Sequence, residues 1–298
     1  MSSKTERNDR KQGKNAGAKS RGDGPRPRPQ TPAPQGRGAA EGPRGSSRGG
    51  GAGRADADNF LWGRHPVLAA LANPARRGAG RLLATPDRAE EIERDNLAHG
   101  HRIEVVDAQG LTRMLPQGAV HQGMAFKVQP LEGVALEAIA EPAEGLIVML
   151  DQLTDPQNVG AIFRSALAFG ARGIVVQDRH APALAGALAK AAVGATERLP
   201  HARVTNLSRA LERLADLGWR SVGLDGSGEQ TLEEALDARP TVLVMGSEGD
   251  GIRRLVAEHC DALARIPMPG GFESLNVSNA AAVALYEASR AQRRSALA

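Results

Sequence analysis

The chain has 298 residues, 41% of them hydrophobic and 24% charged, with a formal net charge of +4 and one cysteine. That length suits one large domain or two ordinary ones. A lone cysteine, Cys260, excludes an internal disulfide and fits a reducing compartment, and no apolar run reaches the ~20 residues of a membrane span, so a cytoplasmic protein without a membrane partner is expected.

Residues 1–58 contain no Ile, Leu, Val, Phe, Trp or Tyr. Such a segment cannot bury enough apolar surface to offset its ordering entropy, so a disordered tail is expected. It holds 13 of the 38 Lys and Arg and 6 of the 34 Asp and Glu, leaving 25 basic and 28 acidic groups in residues 59–298. The basic character therefore belongs to the tail. A Gly/Arg/Pro-rich tail can bind polyanions without sequence preference, or serve as a solubilising linker. It lacks the apolar centre of a signal peptide, and its glycines and prolines oppose the amphipathic helix of a transit peptide.

Order is expected from Asn59–Phe60 onward. Residues 65–71 suit a short helix, 81–85 a strand, 86–99 a polar-faced helix, 103–107 a strand, 108–115 a short helix and 123–129 a strand. These make a small α/β domain over 59–130. Residues 131–145 read as a linker with turns at Gly133 and Pro142. From 146 to 298, buried apolar runs (GLIVML, GIVVQ, SVGL, TVLVM, ALARIP) alternate with helical patterns at 158–169, 181–195, 206–217, 231–237, 251–259 and 276–292, with a further short strand near 198–204. That alternation predicts a parallel sheet covered on both faces. Ligands of such sheets sit at the carboxyl ends of the strands, which directs attention to the loops after 150, 225, 245 and 268.

Three of these loops carry chemistry. In DQLTDPQNVGAIFRSALAFGA (151–171), Asp155 or Asn158 can cap the following helix, and Arg164 can be a solvated charge. Gly160 is costly so early in a helix and suggests close approach of another backbone. In TVLVMGSEGDGIRRL (241–255) the glycines are spaced GxxGxG, and Glu248 stands where a dinucleotide fingerprint needs its second glycine. A carboxylate there would repel a pyrophosphate, which argues against a nicotinamide or flavin site; it can also simply complement a helix dipole. In IPMPGGFESLNVSNAAAVALYEASR (266–290), Pro267 and Pro269 fix φ while Gly270 and Gly271 free it, shaping a rigid loop. Ser274, Asn276, Ser278 and Asn279 then crowd the helix start with more polar groups than capping needs.

In order and spacing, DPQNVGAIFRSA, LVMGSEGDGI and IPMPGGFESLNVSNAAAVALYE resemble the motifs of the SpoU/TrmH branch of the SPOUT RNA methyltransferases. The segment from NFLWGRHPVLAAL to HQGMAFKV resembles the ribosomal-protein-like substrate-binding domain of the branch that methylates guanosine in 23S rRNA. The resemblance implies a C-terminal domain with a deep trefoil knot, an exception to the rule against threading, and S-adenosylmethionine as cofactor. By motif, Met245, Gly246, Gly249, Ile266, Pro267, Met268 and Leu275 would line the cofactor site, and Asn158, Arg164, Glu248, Ser274 and Asn276 would form the catalytic group. Arginine is a poor base at a pKa above ~12, so a grip on phosphate or ribose suits Arg164 better than proton removal. No metal is implied, and the seven histidines are scattered; His65 and His121 read as structural or RNA-facing. The resemblance further implies RNA as partner and a homodimer whose sites take groups from both subunits, with helix 276–292 at the interface. A tRNA ribose methyltransferase and a non-catalytic RNA-binding assembly factor are the alternatives.

Overall fold

The computed structural model describes residues 59–270 and 274–296, so the expected disordered tail over 1–58 and the loop glycine at 271 lie outside the described residues. The first lobe runs β1 (Phe60–Trp62), α1 (Arg64–Ala72), β2 (Arg81–Ala84), α2 (Pro86–Arg94), β3 (Ile103–Val105), α3 (Ala108–Met114) and β4 (Met124–Lys127). Its sheet has the order β1-β4-β2-β3, with β4 antiparallel to both neighbours and β2 parallel to β3. Side chains alternate across it: Leu82 and Phe126 pack with Val67 and Ile92 on one face, Leu83 and Ala125 with Leu111 on the other. Strand β1 was not expected, because three consecutive buried residues show no alternation. The expected helix 86–99 stops at Arg94, and Asn96 and His99 beyond it adopt left-handed φ of 51° and 46°.

The connection carries a short helix, α4 (Leu136–Ala140). Ile139 and Ala140 are buried against the following sheet, so this stretch is folded rather than only two turns. Gly173 leaves the space that Ile139 fills, since a Cβ there would meet the Ile139 side chain at 2.8 Å.

The second lobe continues β5 (Leu146–Leu150), α5 (Pro156–Ala168), β6 (Gly173–Gln177), α6 (Gly186–Ala192), β7 (His201–Val204), α7 (Leu207–Asp216), β8 (Arg220–Leu224), β9 (Gln230–Thr231), α8 (Leu232–Ala235), β10 (Thr241–Met245), α9 (Arg254–Ala257), β11 (Ala262–Arg265) and α10 (Val277–Ala296). Seven strands in the order β7-β6-β5-β10-β8-β11-β9 form a wholly parallel sheet, as the alternation predicts. Leu146, Val148, Leu150, Leu243 and Met245 face one layer, holding α5, α6 and α10 through Ile162, Leu188 and Leu285. Ile147, Met149, Val242 and Val244 face the other, holding α4, α7 and α9 through Ile139, Leu211 and Val256.

Helix α6 joins the lobes. Its Leu188 and Ala192 enter the core of the parallel sheet, while its Ala189, and Ala185 just before its start, enter that of the first lobe. Gly160 lets α5 approach it closely, because a Cβ there would lie 2.4 Å from the Leu188 carbonyl oxygen. A second tie is a buried ion pair: Arg76 donates through Nε and Nη2 to Glu197, each at 2.8 Å, and Asn73 donates to the same carboxylate. Removing either partner of such a pair would leave an uncompensated buried charge, at a cost of about 3–5 kcal/mol.

Candidate active site

The carboxyl edge of the parallel sheet is hollowed where β8, β10 and β11 end. A cavity of about 580 Å³ opens there between the turn after Met245, the loop after Leu224 and the chain that leads into α10. That volume falls within the range of small-molecule sites. Ile266, Met268 and Leu275 supply apolar wall, and the backbone of Gly246 and Gly249 supplies polar edge.

The turn after β10 is tightly closed. Ser247 and Gly251 exchange backbone hydrogen bonds of 3.0 and 3.1 Å. A Cβ on Gly246 would lie 2.0 Å from the carbonyl carbon of Gly251 and 2.2 Å from the Ile252 nitrogen. A side chain at 246 would therefore strike backbone rather than project into the cavity. The glycine is required for closure of the turn, and its contribution to the cavity wall is main chain. At the far end of this turn, Asp151, fully buried, accepts from the Arg253 backbone N–H at 2.9 Å and from its Nε at 2.7 Å. The loop after β5 is thus fastened to the turn after β10. Sequence reasoning did not single out this pair; the only signal was an aspartate directly after an apolar strand.

Beside the cavity, three residues from three loops close a ring. Asn158, in the first turn of α5, donates its Nδ2 to Glu248 Oε1 at 2.9 Å. Asn276, immediately before α10, donates its Nδ2 to the same oxygen at 2.8 Å and to Asn158 Oδ1 at 3.0 Å. The Val277 N–H, at the start of α10, also points to Glu248 Oε1, at 3.3 Å. A carboxylate at a helix N-terminus is favoured by the dipole. Asn276 Oδ1 in turn accepts from the backbone N–H and hydroxyl of Ser278. Every polar atom of the Asn276 amide is used, so the amide can sit only one way round. Asp155 fulfils the capping role for α5 through the N–H groups of Gln157 and Asn158, which leaves the Asn158 side chain free for the ring.

Glu248 and Asn276 are exposed at the rim, and Ser274 and Leu275 border the cavity mouth. Met245 is buried and lines its base; Pro267 is exposed and does not line it. Arg164 stands apart. It lies six residues beyond Asn158 on α5, about 240° around the helix, and lines a different groove with Leu167, Ala192 and Arg198. Asp225, in a loop flagged from the sequence but not chosen as a residue, also faces the cavity; it is held by the N–H and hydroxyl of Ser227 at 2.8 and 2.6 Å.

Other reactive groups are removed from this site. Burial pushes the Cys260 thiol up to about 12, so it is not a thiolate nucleophile at neutral pH. Burial, with help from the Arg203 charge, pushes His201 down to about 4, and it is neutral beneath α5. Among the described residues no three metal-binding side chains gather, and no helix is long and apolar enough to cross a membrane.

Comparison with known proteins agrees with this geometry. Residues 145–286 match the SpoU rRNA Methylase family, and residues 60–134 match the RNA 2'-O ribose methyltransferase substrate binding family. An uncharacterized tRNA/rRNA methyltransferase of Mycolicibacterium smegmatis is 40% identical over 250 residues, covering 81% of this chain and 79% of the relative. The SpoU methyltransferase AviRb from Streptomyces viridochromogenes, solved in complex with AdoMet, is 30% identical with a TM-score of 0.66, covering 81% of this chain and 92% of that one. An AdoMet-bound rRNA methyltransferase from Sinorhizobium meliloti is 27% identical with a TM-score of 0.63, covering 78% of this chain and 86% of that one.

Proposed function

The chain belongs to the SpoU family of RNA methyltransferases, and we propose that it methylates a ribose 2′-hydroxyl of RNA, in the cytoplasm, with a guanosine of 23S rRNA as target. The family's cofactor is S-adenosylmethionine, and the cavity fits it. Ile266, Met268 and Leu275 offer flat apolar wall for an adenine, and the turn from Gly246 to Gly251 offers main-chain hydrogen-bonding groups. Carboxylates at Asp225 and Glu248 complement a cationic sulfonium. When bound, S-adenosylmethionine would supply an activated methyl group: a C–O bond would form to the ribose oxygen as the methyl–sulfur bond breaks, the neutral thioether S-adenosylhomocysteine leaving and the hydroxyl proton passing to solvent.

The observation that carries the proposal is the ring of Asn158, Glu248 and Asn276 at the rim of that cavity. In-line displacement depends on alignment, and the ring fixes a carboxylate and two amides from three loops in one place. Glu248 holds these amides and the start of α10 still, while Ser274 stands at the mouth where a ribose would enter. With Arg164 on another face of α5, one chain does not bring all five residues together. This separation supports a homodimer in which Arg164 of one subunit grips the ribose or phosphate at the other's site. The small residues Ala281, Ala284 and Ala288, fully buried on the inner face of α10, let that helix pack closely, and the knotted threading remains what the family resemblance implies. The first lobe, matched to an RNA substrate-binding family, supports an RNA substrate, and its resemblance to the branch acting on 23S rRNA favours rRNA; the names of the relatives include both RNAs.

Calorimetric titration with S-adenosylmethionine tests the cofactor assignment, and analysis of 2′-O-methylated nucleosides in rRNA and tRNA, with the gene present and deleted, tests the substrate. Cofactor binding with no methyl transfer to either RNA would turn the reading toward a binding protein.

A further inference from the structure

A second groove, of about 500 Å³, lies between the lobes, bordered by α1 of the first lobe and by α5 and the turn after α6 in the second. Three cationic or basic side chains line it: His65 at the start of α1, Arg164 on α5, and Arg198 just after the short helical turn 195–197. All three are exposed, none is in a hydrogen bond or ion pair among the described residues, and no carboxylate lines the groove. The nearest acid in the chain, Glu197, is turned inward and consumed by Arg76. The floor is apolar, formed by Leu68, Leu167 and Ala192 with Val193 at its edge. Val193 ends α6 at a φ of 53° and remains 37% exposed, an unusual conformation for a β-branched residue.

We propose that this groove is a docking subsite for RNA, in which Arg198 and His65 hold a phosphodiester flanking the target nucleotide and the Leu68–Leu167 floor receives its ribose or base. The inference rests on the reading of the chain as an RNA methyltransferase. Charge complementarity selects the occupant: unpaired guanidinium groups above an apolar floor match a nucleotide, which joins an anion to a flat, weakly polar ring. The position adds to this. The groove needs both lobes, and the buried Arg76–Glu197 pair with the α6 contacts holds those lobes in one register. Arg164 borders it, so a strand lying here would run directly to the residue assigned to the reacting ribose. A strand docked here would thus connect the substrate-binding lobe to the chemistry.

The test uses the full chain with Arg198→Ala, Arg198→Glu and His65→Gln, and a fluorescent single-stranded RNA oligonucleotide of mixed sequence as probe. Because Arg198 and His65 are exposed, melting temperature and S-adenosylmethionine affinity should match wild type. RNA affinity should fall about tenfold for Arg198→Ala and further for Arg198→Glu, and the slope of log affinity against log salt should flatten by roughly 0.7 to 0.9. In turnover with rRNA, KM should rise while kcat changes little. Unchanged RNA affinity and salt slope in Arg198→Glu, with methyl transfer intact, would overturn the subsite and leave the enzyme assignment standing. Failure of the wild-type chain to bind S-adenosylmethionine or transfer methyl would instead strike the underlying reading. Equal displacement of the RNA probe by poly-aspartate, through Arg198, would overturn the proposal in favour of an acidic protein partner.

Discussion

Asn276 donates its side-chain amide to Glu248 across 2.8 Å, joining the start of the last helix to the turn that closes the cavity. Because Glu248 is exposed and its contacts are hydrogen bonds rather than packing, the ring they form has more to do with position than with stability. Glu248→Ala should therefore lower methyl transfer about a hundredfold, the loss expected from misplacing groups by an ångström. Stability should fall by about 1 kcal/mol, a few degrees in Tm. A melting curve and a single-turnover rate on the same preparation check both parts, and a large loss of Tm with activity intact would make the ring structural.

Gly246 should behave in the opposite way. An added Cβ would meet the backbone of Gly251 and Ile252 at 2.0 to 2.2 Å, and backbone gives way less readily than a side-chain tip. Gly246→Ala should cost at least 1–3 kcal/mol, as overpacking does, and Gly246→Val more. Differential scanning fluorimetry without cofactor reads the loss directly. A wild-type apo Tm in Gly246→Ala would contradict the turn geometry.

The comparison of these two residues shows what a sequence can and cannot reveal. Both were marked by the same motif, and the motif placed both beside the cavity. It could not show which way a Cβ at 246 would point, because that depends on how the turn folds back through the Ser247–Gly251 hydrogen bonds. The parallel sheet was legible for a physical reason: strands buried on both faces are largely apolar, and five of the seven stand out as such, whereas β7 (His201–Val204) carries a histidine and an arginine. Strand β9, only Gln230–Thr231, carries no such signal. Gly160 was legible because glycine is costly in a helix, and the Leu188 carbonyl oxygen explains that cost. Asp151 was not, since its partner Arg253 lies 102 residues away. Nor could spacing show that α6 serves two cores at once.

Arg164→Ala should abolish methyl transfer and leave S-adenosylmethionine affinity unchanged, since Arg164 lies outside the cavity. Arg164→Lys should restore little, because lysine lacks the planar fork. If Arg164 acts across a dimer, mixing Arg164→Ala subunits with Glu248→Ala subunits should recover activity that neither variant has alone. Purified mixtures assayed after subunit exchange check this; no recovery in proven heterodimers would mean that each site takes Arg164 and Glu248 from one subunit.

His201 gives the fold a pH dependence of known sign. Burial lowers its pKa from 6.5 to about 4 in the folded chain, so between these values the unfolded chain binds the extra proton. Stability is fully present above pH 6.5 and is lost as pH falls toward 4, by an amount of order 3 kcal/mol. His101, also lowered by burial, acts in the same direction. His201→Phe should flatten the dependence of Tm on pH across that window. An equally steep profile in the variant would assign the acid sensitivity to other groups.

The central claim is transfer of a methyl group to a ribose oxygen of RNA. It is tested most directly by incubating the chain with methyl-labelled S-adenosylmethionine and rRNA from cells lacking the gene, then digesting the RNA to nucleosides. Label should appear in 2′-O-methylguanosine from 23S rRNA and enter it about a hundredfold more slowly with Glu248→Ala. Label in a base-methylated nucleoside, or none in RNA despite bound cofactor, would contradict the account.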